Sequence, residues 1–186
     1  SILRVAMMGV KLVNVIIDAN VTPASPGVSP SYGINVEATG AAELENVEVR
    51  RATYGVYAQG VLVVNDGTRI HDTLQVGLMA MGTAAVAIAS SSTSAPVEIY
   101  GSGQVGVNVG NGSALTIAST VGRIDVHDNQ VNLAVVQSAK VAVTGVAANR
   151  SVLFRNGTSA GIQLTPVGAT DQATVTGAVV EGNSNG

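Results

Sequence analysis

The chain has 186 residues with 46% hydrophobic, 11% charged and 3% aromatic side chains, no Cys and a formal net charge of -3. Those values exclude disulfide frameworks, thiolate zinc sites and disorder, and nine scattered Lys and Arg leave no basic patch for nucleic acid. The longest apolar run, Ala84 to Ala89, is far short of the roughly 18 residues of a membrane-spanning helix.

Small β-branched and aliphatic residues mixed with 22 Gly and abundant Thr, Ser and Asn favour strands and turns. Taken in chain order, three short alternations recur. Val10-Lys11-Leu12 comes first, then Val15-Ile16-Ile17, a Pro/Ser-rich insertion over 22–31, and Gly33-Ile34-Asn35-Val36. Val47-Glu48-Val49 leads to Gly55-Val56-Tyr57-Ala58, and Thr68-Arg69-Ile70 leads to Gly77-Leu78-Met79-Ala80. After Val86-Ala87-Ile88 the pair returns as Val97-Glu98-Ile99 with Gly106-Val107-Asn108-Val109. Leu115-Thr116-Ile117 precedes Ile124-Asp125-Val126 and Asn132-Leu133-Ala134-Val135. Val141-Ala142-Val143 precedes Val152-Leu153-Phe154 and Gly161-Ile162-Gln163-Leu164, and Ala173-Thr174-Val175 and Ala178-Val179-Val180 close the series.

Three strands in about 25 residues make one coil of a parallel β-helix, whereas a propeller blade needs four in roughly 40 to 45. A left-handed helix would keep a hexapeptide rhythm, which is absent, and a β-sandwich does not explain strands recurring in one order. The expected fold is therefore all-β: a right-handed parallel β-helix of about seven coils, one domain over 1–186. The narrow interior accounts for the few aromatic residues, and the single Phe, Phe154, is expected inside, beside Ala147 or Ala148.

The run Ile124-Asp125-Val126-His127-Asp128-Asn129 followed by Leu133-Ala134-Val135 resembles the right-handed parallel β-helix superfamily. That superfamily includes pectate-lyase-like proteins, phage tailspikes and autotransporter passenger domains. The resemblance spans nearly the whole chain. It implies the fold, and is shared by lyases, hydrolases and inert adhesive stalks alike.

Aligned coils predict two outward rows on the first strand. One is Ile16, Glu48, Arg69, Glu98, Asp125, Leu153 and Val179; its charges read as a solvated face. The other is Asp18, Arg50, His71, Tyr100, His127, Arg155 and Glu181. His71, Tyr100, His127 and Arg155 are the candidate ligand residues, a ridge able to stack on sugar rings; the plainer alternative is ordinary exposed strand positions. The two His sit two coils, or ~10 Å, apart, too far to share one metal ion, so no metal site is expected. Asp72, Asp128 and Asn156 are expected to bond turn backbone, in an Asn/Asp ladder broken by Arg51, Gly101 and Gly182. Asp66 and Asp72 share a coil and could approach one another as a catalytic pair, the alternative being two unrelated acids. A further outward column carries Tyr57, Met79 and Ala134. Gly157-Thr158-Ser159-Ala160-Gly161 matches a nucleophile elbow in spelling, but no His follows Ser159 and a strand follows the motif. Gly101-Ser102-Gly103-Gln104-Val105-Gly106 lacks the helix a dinucleotide loop requires.

No catalytic residues and no cofactor are expected. The expected role is a non-enzymatic structural or adhesive segment of a secreted or cell-surface bacterial β-helix, with a carbohydrate-binding or polysaccharide-degrading domain as the alternative. Expected partners are a polysaccharide or another surface protein, with further coils or a capping partner at both ends.

Overall fold

A computed structural model describes residues 1–21, 30–165 and 172–184, and among these described residues there are twenty-one strands and one 3₁₀ turn. The insertion at 22–31 lies outside the described residues except for its last two positions. Strands are numbered in chain order, from β1 (Leu3–Val5), β2 (Val10–Val13) and β3 (Ile16–Asp18) to β19 (Ala160–Thr165), β20 (Gln172–Thr176) and β21 (Val179–Glu181). Every third strand pairs in parallel, giving three seven-stranded sheets. Sheet A runs β1, β4 (Tyr32–Val36), β7 (Tyr54–Ala58), β10 (Val76–Ala80), β13 (Val105–Val109), β16 (Val131–Val136) and β19; sheet B runs β2, β5 (Ala41–Glu45), β8 (Val61–Val64), β11 (Ala85–Ala89), β14 (Ala114–Ala118), β17 (Lys140–Thr144) and β20; sheet C runs β3, β6 (Glu48–Arg50), β9 (Arg69–His71), β12 (Val97–Tyr100), β15 (Ile124–His127), β18 (Val152–Arg155) and β21. The fold is the expected parallel solenoid.

Strand alternation sends one face of each sheet inward. Ile34, Val56, Leu78, Val107 and Leu133 stack through sheet A, and Leu44, Val64, Ile88, Ile117 and Val143 through sheet B. Val49, Ile70, Ile99, Val126 and Phe154 line sheet C. All of them belong to one core cluster, and each buried aliphatic contributes roughly 1.5–3 kcal/mol. Phe154 is fully buried as expected, in register with Val126 and Val180. Its neighbours are not Ala147 and Ala148: those residues fall in the exposed 3₁₀ turn Ala147–Asn149 on the surface.

The corner between sheets C and A explains the recurring glycine. Gly77 drops out of the pairing register between Val76 and Leu78. A Cβ on Gly55 would lie 2.5 Å from both the Gly77 carbonyl oxygen and Ile70 Cγ2. One coil departs from the pattern with Asn132, fully buried. Its Nδ2 donates to the Arg155 carbonyl and to Asn183 Oδ1, both at 3.0 Å, and its Oδ1 accepts from Asn129 Nδ2 at 3.0 Å. Asn129 Oδ1 accepts from the Ser102 N–H at 2.9 Å, its Nδ2 donates to the Ile99 carbonyl, and Asn183 Nδ2 donates to the Phe154 carbonyl. Gly157 has no side chain to place in the column occupied by Asn129 and Asn183, and Asn132 bridges that gap.

Candidate functional site

The pairing register reproduces both expected rows of sheet C. Ile16, Glu48, Arg69, Glu98, Asp125, Leu153 and Val179 are consecutive partners, and so are Asp18, Arg50, His71, Tyr100, His127, Arg155 and Glu181. What differs is exposure. The plainer expectation of exposed strand positions fails at His71 and His127, each only 9% accessible, and the solvated-face reading fails at Asp125, which is 1% accessible. Leu153, between Asp125 and Val179, is buried on the outer face as well.

The reason is that these groups cover one another. His71 and Tyr100 stack with ring centroids 4.8 Å apart and planes 5° from parallel; Tyr100 and His127 do the same at 5.0 Å and 5°. The strand spacing of ~4.8 Å sets this distance, so residues in register stack without adjustment. Burial, followed by the carboxylates of Glu98 and Asp72, pushes the Tyr100 phenol above its ordinary value.

Each imidazole is fixed by the residue after it. His71 Nδ1 lies 2.9 Å from Asp72 Oδ2, and His127 Nδ1 lies 2.7 Å from Asp128 Oδ2. Asp72 and Asp128 sit in the left-handed region with φ of 52° and 54°, which turns their side chains back toward the preceding imidazole. Arg51, Gly101, Asn156 and Gly182 occupy the same corner, all with positive φ; short polar residues and Gly tolerate that conformation best. The expected turn role of Asp72 and Asp128 is thus corrected: their carboxylates orient His rings. The imidazole of His127, then the Asn156 side chain, holds the Asp128 carboxyl below its ordinary range.

The charges are shared out unevenly. Arg155 grips Asp125 through Nε to Oδ1 at 2.9 Å and Nη2 to Oδ2 at 2.9 Å, and Arg123 Nη2 reaches Oδ2 at 2.5 Å. Glu48 takes Arg50 at 2.8 Å, His71 Nε2 at 3.4 Å and Arg69 at 3.6 Å. Asp18 is paired with Arg51 and, at 3.0 Å, with Arg50, and Arg51 above all holds its carboxyl far below the ordinary range. Glu98 forms no hydrogen bond or ion pair among the described residues, because the neighbouring Arg69 leans to Glu48. His127 Nε2 is buried and also without a hydrogen-bond partner. Donor atoms of Glu98, Asp125 and His127 lie within 4.8 Å of one another. The spacing of the two His does not disclose this trio; its signal lies in the acids of the adjacent row, one strand back and two residues before His127.

Asp66 and Asp72 stand at opposite ends of β9 (Arg69–His71) and do not pair. Asp66 is instead cradled by serines, accepting from Ser90 Oγ at 2.7 Å, Ser91 Oγ at 2.6 Å and the Ser91 N–H at 2.9 Å. Burial raises its carboxyl, but these bonds outweigh it and hold the group below the ordinary range. A depression of about 200 Å³ lined by Asn14, Asn46, Glu48 and Arg69 opens at the corner between sheets B and C, and none of the four candidate ridge residues lines it. Both motif look-alikes lead into strands, Gly157–Gly161 into β19 and Gly101–Gly106 into β13 (Val105–Val109).

On the outer face of sheet A, Tyr57, Met79 and Ala134 share one column, with Asn108 between the last two. Tyr32 stacks on Tyr54 at 5.4 Å and meets Tyr57 at 5.0 Å. No helix is long and apolar enough to cross a membrane among the described residues. No protein-family profile, no curated protein and no solved structure matches the chain.

Proposed function

We propose that the chain is a non-enzymatic structural or adhesive segment of a β-solenoid. One observation carries this reading: both faces of Tyr100 are covered, by His71 on one side and His127 on the other. A sugar ring binds an aromatic platform through an open face, and here the faces are used by the protein itself. Arg155 is likewise turned onto Asp125 and away from any ligand. The ridge works as a zipper that holds successive coils in register.

A secreted or cell-surface bacterial location belongs to the same reading, supported by the Cys-free composition with few charges and many Gly. An adhesive role would bring another surface protein against the neutral outer faces.

Incubation with a panel of plant and microbial polysaccharides tests the proposal. Neither saturable binding nor release of reducing ends or unsaturated products is expected, and Arg155→Ala and His127→Ala should lower thermal stability. Saturable binding to a polysaccharide that either substitution abolishes in a still-folded chain would overturn the structural reading in favour of the carbohydrate-binding one.

A further inference from the structure

We propose that Glu98, Asp125 and His127 bind one divalent transition-metal ion of the zinc class. The three side chains come from two adjacent strands, Glu98 from β12 (Val97–Tyr100) and the other two from β15 (Ile124–His127), and their donor atoms lie within 4.8 Å of one another.

Four observations converge on a cation. Glu98 and Asp125 are direct register partners, and like charges side by side on neighbouring strands repel; two arginines offset Asp125, and among the described residues none offsets Glu98. Glu98 has no partner of its own among the described residues. His127 is buried, its Nε2 has no hydrogen-bond partner, and one of its ring nitrogens lies within 4.8 Å of a donor oxygen of both carboxylates. A buried ring nitrogen in that condition has lost its water without compensation. Asp128 Oδ2 sits 2.7 Å from the other nitrogen. There it accepts the Nδ1 proton and leaves the Nε2 lone pair for a metal, the carboxylate–histidine arrangement that tunes many metal sites.

The donor set suits the ion. One imidazole nitrogen and two carboxylate oxygens match zinc, cobalt and manganese better than the all-oxygen cages that calcium prefers. Bonds of about 2.0–2.2 Å require the donors to draw together, and Glu98 is the group free to swing because nothing holds it. Asp125 keeps capacity despite its two arginines: its Oδ1 accepts from Arg155 Nε and retains a second lone pair. Arg155 thus acts as a positioning residue that aims Asp125. At the other histidine the equivalent position is taken, since Glu48 already serves Arg50, Arg69 and His71 Nε2.

The test uses the full chain stripped of metal with a chelator. Titration with Co²⁺, followed by its visible absorption, should show one ion per chain, displaced by Zn²⁺. Glu98→Gln should weaken binding at least tenfold, Asp128→Asn about 10–100-fold, and Glu48→Gln should bind as the unaltered chain does, all with unchanged far-UV circular dichroism. In the unaltered chain, ¹⁵N NMR should show the Nε2 of a single histidine shifting on addition of Zn²⁺. Absence of stoichiometric binding, equal affinity in Glu98→Gln, or movement of neither or both imidazole Nε2 resonances would overturn the site.

Discussion

At the scale of single residues, the decisive positions are those where a coil turns its corner, because every corner repeats against its copy one strand spacing away. A side chain tolerated once must be tolerated by the stack, which is why the position after the sheet C corner is Gly in most coils. Gly55→Ala would place a methyl 2.5 Å from the Gly77 carbonyl oxygen and from Ile70 Cγ2, and backbone cannot yield there without disturbing the next coil. Overpacking of this kind costs about 1–3 kcal/mol, equivalent to a lowering of Tm by roughly 2–4 °C per kcal/mol for a chain of this size. Chemical denaturation monitored by circular dichroism should show that loss, and an unchanged midpoint would refute the steric account. Asn132 shows the complementary rule: a side chain is admitted where the Gly157 column is empty, provided every polar atom finds a partner.

At the scale of elements, the sheet C ladder shows what a sequence discloses and what it withholds. The seven members of each outward row were legible because strand period and coil period together fix register, and Phe154 was placed inside by the same reasoning. Burial of His71, His127 and Asp125 was not legible, because alternation gives the face of a side chain and not what folds over it. The positive φ of Asp72 and Asp128 was equally hidden, although their column of Asn, Asp and Gly carried its signature. So was the Asn129–Asn132–Asn183 network, which begins one residue beyond the corner column of Asp128 and Asn156. The stack itself is testable as an element. Tyr100→Ala removes two ring contacts, each about 0.5–1.5 kcal/mol beyond area burial, whereas Tyr100→Phe keeps both. Thermal melts should therefore show a marked loss for the first variant and a small one for the second. Equal destabilisation by both would mean that the hydroxyl, and not the stack, holds strands β9, β12 and β15 together.

At the scale of the whole molecule, each coil touches mainly its two neighbours, so stability is the sum of many similar interfaces and no single coil dominates. The acid response follows from how the carboxylates are distributed along that series. Asp18 beside Arg51, Glu37 beside Arg4, Asp66 in its serine cradle, Asp128 beside His127 and Glu181 beside Arg150 all have carboxyls held below their ordinary values. A carboxyl whose pKa is lower folded than unfolded adds stability that is fully present above its unfolded value, near 4, and is lost as pH falls through the folded value. The five groups span the chain from β3 to β21, so acidification should loosen the solenoid along its length. Tm is expected to stay level above about pH 5 and to drop steadily from about pH 4 toward 2. Asp66→Asn should start from a lower Tm at neutral pH and lose less of it on acidification, since its contribution is already gone. A Tm that holds down to pH 2, or an Asp66→Asn curve parallel to that of the unaltered chain, would show that packing alone carries the fold and that these carboxylates are spectators.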